Sequence, residues 1–215
     1  YIDGNASKYI IRITRLCAIN IVLALSMNLV NGFTGIFSLG HAGFMAIGAY
    51  TVALLTIPVA KKETIFMLEP LIAPLNTLTL PFGAALIIGG LLAAALAFLI
   101  GLPCLRLRGD YLAIATLGFS EIIRIVITNA QSLTNGAQGL KSIPATANIW
   151  WCYGVALATI VFIALLISSS YGRAFKAIRE DEIAAESMGV SLLRHKMLSF
   201  MLSAFLAAVG GGLFA

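Results

Sequence analysis

The chain has 215 residues, of which 60% are hydrophobic and only 11% are charged, and its formal net charge is +5. An ordinary soluble domain has about 25% charged residues, whereas residues 16–60, 70–105, 142–172 and 197–215 contain no Asp, Glu, Lys or Arg. Because a bilayer-spanning helix needs about 20 apolar residues, this composition excludes a soluble globular protein and indicates an integral membrane protein.

Two other classes of protein are disfavoured by the same residues. The basic side chains lie in short clusters between apolar runs, which is typical of the positive-inside rule and argues against a nucleic-acid-binding face. The three cysteines, Cys17, Cys104 and Cys152, are scattered along the chain. They predict small buried side chains and neither a disulfide framework nor a metal site.

The sequence has no initiator Met and stops inside an apolar run, so we expect a domain truncated at both ends.

Six apolar segments follow one another along the chain. We label them a to f, and they cover residues 13–30 (a), 38–59 (b), 81–102 (c), 110–129 (d), 152–170 (e) and the residues from Met197 onwards (f). They predict an all-α polytopic membrane protein, a single transmembrane domain over residues 1–215 with about six transmembrane or partly re-entrant helices. Five glycines between residues 32 and 48 make segment b the better candidate for a broken helix, and segment d is the other candidate.

Two connections between these segments have distinct compositions. Residues 64–80 are apolar with two prolines and predict an interfacial loop. Residues 131–151 are polar and end in Trp150 and Trp151, with Tyr153 close behind, which is typical of an aromatic belt at the membrane interface.

The one long charged stretch, residues 171–196, contains nine of the 23 charged side chains, five basic and four acidic. Its apolar residues fit the spacing of an amphipathic helix around a break at Gly189. The stretch therefore predicts a helix that lies on the membrane surface or against a partner. Its basic residues place it in the cytoplasm.

Orientation is a problem for a simple alternating topology. Alternation places Arg106 and Arg108 in the cytoplasm with the charged stretch, but it leaves the cluster of Lys8, Arg12 and Arg15 outside. That placement contradicts the positive-inside rule. Either one middle segment is re-entrant or broken, or a helix upstream of the chain fixes the orientation.

Small and polar residues of segments a and b suggest two features. A stripe of small residues at helical spacing predicts a close-packing face; it comprises Ser38, Ala42, Ala46, Ala49 and Ala53. Around the start of this stripe, polar side chains and glycines predict irregular backbone at membrane depth; these residues are Asn28, Asn31, Gly32, Gly35 and Ser38. Irregular backbone at that depth is tolerated only inside protein or beside a water-filled path. His41 fits either an interhelical hydrogen bond or a residue of that path.

Glu121 and Arg124 are ionisable residues inside segment d. They are three residues apart and can pair on one helical face. Glu121 is about 16 Å along a helix from Asp110 at 1.5 Å per residue, which is near the middle of a bilayer. The pair indicates either a translocation path or gate, or a structural contact with a neighbouring helix.

No phosphate-binding glycine loop, nucleophile elbow or metal-ligand cluster occurs in the sequence. If ATP powers transport, another chain must bind it, and the charged stretch would be the docking element. An ion-coupled secondary transporter is the alternative from another class, because such proteins use broken helices and buried ion pairs.

Three stretches, residues 31–50, 105–124 and 172–189, carry a resemblance to a known family. The first includes Ser38 to Tyr50 and the third begins at Gly172 and ends at Gly189. In this order they resemble the second, M-type permease subunits of bacterial branched-chain amino acid ABC importers. Urea importer permeases belong to the same superfamily, so the substrate could be urea or another small amide or amino acid.

The resemblance implies an assembly and a location. The permease, which is not itself an enzyme, would sit as a multi-pass protein in the lipid of the bacterial cytoplasmic membrane. Its partners would be a second homologous permease, two cytoplasmic ATPases and a substrate-binding protein, with no nucleic acid. The chain itself would bind no metal or other cofactor, since ATP and Mg belong to the ATPases.

The resemblance also assigns residues. The 171–196 loop would be the coupling helix, with contacts from Arg173, Lys176, Arg179, Glu180, Asp181, Glu182, Ala184, Ala185, Glu186 and Gly189. The expected translocation path includes Asn28, Asn31, Ser38, His41, Thr116, Ser120, Glu121 and Arg124. The wider ABC importer motif at this loop is Glu-Ala-Ala, three residues, then Gly, but Ile183 stands where the Glu would be and Glu182 comes one position earlier.

Overall fold

The computed structural model describes residues 8–59, 62, 78–107, 109–140 and 147–215. These residues form helices and no strands. The helices are α1 (Lys8–Asn28), continued by a π-helical turn (Leu29–Phe33), α2 (His41–Thr56), α3 (Phe82–Cys104), α4 (Asp110–Asn129), α5 (Gln131–Thr134), a 3₁₀ turn (Gly136–Gln138), α6 (Ile149–Ser168), α7 (Ser170–Glu180), α8 (Glu182–Ser187) and α9 (Leu192–Phe214). Most of the predicted interfacial loop at 64–80, Arg108 and residues 141–146 of the polar loop lie outside the described residues.

Five of the described helices are long and apolar enough to cross a membrane: α1 with its π turn, α3, α4, α6 and α9. This confirms the predicted all-α polytopic membrane fold. Helix α2 is apolar but has only 16 residues. It is short because residues 34–40 before it are not helical, so the irregular backbone predicted for segment b lies here. Helix α9 begins five residues before Met197, which places Lys196 inside the helix.

Helix α1 runs between two opposite ends of the bundle. Near its start, Arg15 Nη1 donates to the Ala147 carbonyl, 3.1 Å away, beside the first turn of α6. At its far end, the Gly32 carbonyl accepts from Arg179 of α7. The basic cluster around Arg15 therefore lies at the end opposite α7, as strict alternation requires and against the positive-inside rule.

The end of the bundle near Arg15 also includes the connection between α2 and α3. The Leu80 amide donates to the Leu55 carbonyl at 2.9 Å, so α3 starts beside the place where α2 ends. Lys62 is buried and its Nζ donates to the Leu78 carbonyl at 2.7 Å. Burial lowers the pKa of this ammonium group.

Helix α9 is the centre of the bundle and is the most buried of the five candidate spans, packing against α1, α2 and α3. Its closest contact is with α2, where the two backbones touch. A Cβ atom on Gly48 would overlap the Ala208 carbonyl, and a Cβ atom on Gly211 would overlap the Met45 carbonyl. Such contacts are typical of small residues at helix crossings in membranes.

The small-residue stripe predicted on segment b is not the face that makes this contact. Ala42 is exposed and Ala46 is half-buried, whereas Gly48 and the neighbouring Ile47 are buried. The prediction was wrong about the face because a glycine, with no Cβ, allows a closer approach than any alanine of the stripe.

We predict that Gly211→Ala destabilises the protein by about 1–3 kcal/mol, the usual cost of overpacking a close-packed interior. The new methyl group has only the Met45 backbone to displace. Thermal unfolding of the purified full-length protein, followed by fluorescence-detected size-exclusion chromatography, measures the effect.

Gly154→Ala in α6 is the matched control, because no atom lies within 4 Å of its added Cβ. We expect it to leave the melting temperature unchanged or slightly raised, since Ala favours a helix over Gly by about 1 kcal/mol. Equal melting temperatures for the two variants would contradict the assignment of the α2–α9 contact.

Candidate functional site

The break between α1 and α2, residues 29–40, leaves backbone carbonyls that a continuous α-helix would satisfy. Thr34 is buried, and its Oγ1 donates to the Leu29 carbonyl at 3.0 Å. Ser199 of α9 has its hydroxyl oxygen 2.6 Å from that of Thr34 and 3.4 Å from the same Leu29 carbonyl, so the two hydroxyl groups and the carbonyl form one hydrogen-bonded group. Helix α9 thus contacts the break directly through a polar side chain.

One turn further along α9, Ser203 makes a second polar contact. Its Oγ donates to the Ser26 carbonyl at 2.8 Å and lies 2.7 Å from His41 Nε2. Since the hydroxyl proton goes to Ser26, His41 must carry its proton on Nε2 and donate to Ser203. His41 Nδ1 is then an acceptor, and it is buried with no hydrogen-bond partner among the described residues. We call Ser26, Thr34, His41, Ser199 and Ser203 the polar cluster.

Three residues predicted for the path hold the non-helical backbone just before α2. Asn31 Oδ1 accepts from the Ser38 amide at 3.3 Å, and the Ser38 hydroxyl accepts from the Gly40 amide at 3.4 Å. Thr116 of α4 accepts from the Leu39 amide at 3.1 Å and donates to the Ala113 carbonyl. Asn31, Ser38 and Thr116 therefore share one structural role, which is to accept hydrogen bonds from backbone amides of the break.

The other predicted path residues are not part of the polar cluster. Asn28 is exposed on α1, with its amide group over Gly32. Ser120 is half-buried where α4 packs against Gly43. Glu121 and Arg124 pair with each other on the outer surface of α4. The structure thus divides the predicted path into buried or half-buried residues around the break and an outer group, which comprises Asn28 on α1 and Ser120, Glu121 and Arg124 on α4.

The charged stretch forms two helices with a break at Asp181, not the single break predicted at Gly189. Asp181 has an extended backbone, and its Oδ1 accepts from the amides of Ile183 and Ala184 at 2.8 and 3.1 Å, which caps the start of α8. Gly189 has a φ of +84° in the turn after α8, so a second change of direction does occur where the sequence predicted it.

Helix α7 packs against the break between α1 and α2. Phe175 and Ile178 are buried, and Arg179 Nη1 donates to the Gly32 carbonyl at 3.1 Å. Gly35 has a φ of +72°, and a Cβ there would lie 2.8 Å from Arg179 Cγ. Only glycine combines this backbone conformation with so close an approach. Arg179 therefore packs directly against the backbone of the break at Gly32 and Gly35.

Helix α8 is attached to α9 by an ion pair. Lys196 is buried, and its Nζ donates to Glu182 Oε1 at 2.6 Å. Elsewhere α8 is open to solvent: Ile183 is 71% exposed, and Met188 in the following turn is 84% exposed. The remaining residues predicted to contact the ATPase are also exposed, except for the buried Ala185; they are Arg173, Lys176, Glu180, Ala184, Glu186 and Gly189.

The sequence prediction does not include five residues of this arrangement. Ser26 lies within segment a, Thr34 lies between Gly32 and Gly35, and Lys196 comes just before segment f. Ser199 and Ser203 have a recognisable signal, because they are four residues apart on one face of an otherwise apolar helix. A search for polar residues at helical spacing in segment f would have found both.

Comparisons with known proteins agree on one family. The profile of the family described as "Branched-chain amino acid transport system / permease component" matches residues 9–215. The chain is 38% identical to the high-affinity branched-chain amino acid transport system permease protein LivM of Escherichia coli K12 and 37% identical to that of Salmonella typhimurium LT2, in each case over 97% of this chain and 53% of the relative. It is 23% identical to a probable LivM of Methanocaldococcus jannaschii over 90% of this chain and 63% of that protein.

The chain therefore spans about half the length of these two curated relatives. No solved structure matches it.

We predict that Ser203→Ala destabilises the protein by about 1–3 kcal/mol, because it leaves the His41 donor and the Ser26 carbonyl buried without their partner. The melting temperature of the purified full-length protein checks this. Ser168→Ala is the control, since that serine is exposed and, among the described residues, its hydroxyl bonds only to a carbonyl of its own helix. A fall no larger than that of the control would contradict the hydrogen-bond assignment.

Proposed function

The chain belongs to the family of permease components of branched-chain amino acid transport systems, and on that premise we propose that it is a membrane-spanning subunit of an ATP-driven importer. It forms part of the path for branched-chain amino acids and has no ATPase site or cofactor of its own. A second homologous permease, two cytoplasmic ATPases holding ATP and Mg, and a substrate-binding protein complete the importer in the bacterial cytoplasmic membrane.

The observation that supports this proposal best is that α7 and α8 are attached to the membrane-spanning helices on one side and present an exposed surface on the other. Their outer surface presents exposed charged side chains together with the apolar Ile183 and Met188. An apolar residue surrounded by charges, on a helix that does not span, is typical of a surface that a protein partner covers. Their inner surface is attached to the spans through Arg179 and Lys196.

These attachments give a physical route for coupling. When the ATPases close on ATP, a displaced α7 moves the break through Arg179 and Gly32, and a displaced α8 moves α9 through Glu182 and Lys196. Both movements reach the same place, because α9 contacts the break through Ser199. A packed junction of this kind switches between discrete arrangements and does not deform continuously, so a small displacement reorients α1, α2 and α9 together.

The proposed substrate sets the chemistry of the path. A branched-chain amino acid is a zwitterion with an apolar side chain, so its path needs polar groups and must not bind it tightly. High affinity belongs to the substrate-binding protein, which delivers the amino acid. Hydroxyl and imidazole side chains around a helix break, as found in the polar cluster, suit such a path.

We predict that Arg179→Ala uncouples ATP hydrolysis from uptake in the reconstituted full importer. Loss of the side chain beyond Cβ removes the hydrogen bond to Gly32 and the Cγ atom that lies next to Gly35, so leucine uptake should fall at least about tenfold per ATP hydrolysed. Gly189→Ala should act in the same direction because alanine is strained at a φ of +84°.

Arg12→Ala is the control for charge removal, because Arg12 is exposed near the start of α1, at the end of the bundle opposite α7. Its uptake-to-hydrolysis ratio should remain that of the unmodified importer. Normal ratios and normal assembly in both the Arg179 and the Gly189 variants would refute the coupling role of α7 and α8.

Substrate identity is tested by competition. We expect unlabelled leucine, isoleucine and valine each to inhibit uptake of labelled leucine by the full importer, and urea at the same concentrations to have no effect. Inhibition by urea with no inhibition by isoleucine or valine would assign the chain to the urea branch of the superfamily. Leucine uptake by the permease without ATPases, driven by an ion gradient, would favour a secondary transporter.

A further inference from the structure

The Glu121–Arg124 pair lies in the middle of a candidate span and faces outwards. Glu121 is in the twelfth position of the 20-residue helix α4. Its side chain is 51% exposed and that of Arg124 is 71% exposed. Arg124 Nε lies 3.0 Å from both carboxylate oxygens of Glu121, and one Nη atom also donates to this carboxylate. The pair therefore has good geometry and open access from one side.

This position is incompatible with contact with lipid chains. Ionised side chains at the centre of a bilayer are unfavourable, and they face the interior of a bundle or a water-filled cavity. Nothing in the described residues covers the pair, since α4 is the least buried of the five candidate spans. The face of α4 that contains Glu121 and Arg124 must therefore line a polar space in the assembled protein.

From this geometry we infer that Glu121 and Arg124 form a binding subsite for the charged groups of an α-amino acid, an inference that rests on the proposed function. The two charges of the pair match the two charges of a zwitterion. When the pair opens, the Glu121 carboxylate accepts from the α-ammonium group of the amino acid and Arg124 donates two parallel hydrogen bonds to its α-carboxylate.

The rest of this face suits the side chain of such a ligand. Leu117 lies one turn before Glu121, and Ile125 lies one turn after it; both are about half exposed. A branched aliphatic side chain can lie against either of them while its charged end replaces the ion pair. The face thus combines one positive charge, one negative charge and apolar surface, as a branched-chain amino acid does.

Pairing within the helix keeps the affinity of this subsite low. Without ligand, each charge already has its partner, so no unpaired ion is left in the path. A bound zwitterion must break this pair and gains only the difference between the two sets of charge-assisted hydrogen bonds. Weak binding of this kind allows release to the next position, which conduction along a path requires.

Saturation-transfer NMR on the full importer in nanodiscs, without its binding protein, tests the subsite. The probes are leucine, 4-methylpentanoate, which lacks the ammonium group, and 3-methylbutan-1-amine, which lacks the carboxylate. We expect a clear signal from leucine and signals roughly tenfold weaker from both analogues. Equal signals from all three probes would overturn the inference.

Three variants separate binding from a structural role. Glu121→Gln and Arg124→Gln should each reduce the leucine signal roughly tenfold while the importer still assembles with all of its subunits. Thr128→Val is the matched control, because Thr128 is exposed on α4 and its hydroxyl bonds only to the Arg124 carbonyl; it should retain the signal.

A leucine signal that survives both neutralising substitutions would overturn the subsite, and so would a loss of signal that accompanies loss of assembly. Either result leaves the proposed function standing as long as the unmodified importer still takes up leucine. Failure of the unmodified importer to take up leucine would instead refute the proposed function.

Discussion

The direct backbone contact between α2 and α9 is the constraint on which the rest of the bundle depends. At Gly48 and Gly211 no side chain separates the two helices, and this fixes where they cross. His41 lies seven residues before Gly48, and Ser203 lies five residues before Ala208, the residue that Gly48 touches; both are within two helical turns of that contact. The close approach of the two backbones therefore brings the two side chains within reach of their 2.7 Å hydrogen bond. This bond of the polar cluster thus depends on the glycine contact.

The second determinant is the helix break, which creates carbonyl groups that need donors. In a membrane every backbone polar group must be satisfied within the protein, and here hydroxyl and guanidinium groups supply the donors. Thr34 donates to Leu29, Ser203 to Ser26 and Arg179 to Gly32. The first two donations arise inside the membrane domain and the third comes from α7. The break is therefore a place where the membrane domain depends on a side chain from the surface element, as it also does at Lys196, which pairs with Glu182 of α8.

The sequence allowed most of the fold to be predicted, because charge-free runs and glycine positions are local signals. The six segments, the irregular backbone before α2 and the surface character of residues 171–196 all follow from composition and spacing. The partners of buried polar groups do not follow in this way. Ser199 and Ser203 bond to residues more than 160 positions earlier, and nothing local specifies that pairing. The prediction that the small-residue stripe makes the closest helix contact was wrong for the same reason, since the face that a helix buries depends on the helix packed against it.

The acidic residue of the charged stretch lies one position earlier than in the ABC importer motif, and the structure shows what this residue contacts. Ile183 stands where that motif has Glu, and it is 71% exposed. Glu182, one position earlier, points about 100° around the helix from Ile183. There it meets the buried ammonium group of Lys196, and leaving that cation unpaired would be strongly unfavourable. The one-residue shift thus turns the carboxylate from the exposed face of α8 towards α9. In this chain the acidic residue holds α8 on α9, and an apolar side chain takes its place on the outer surface.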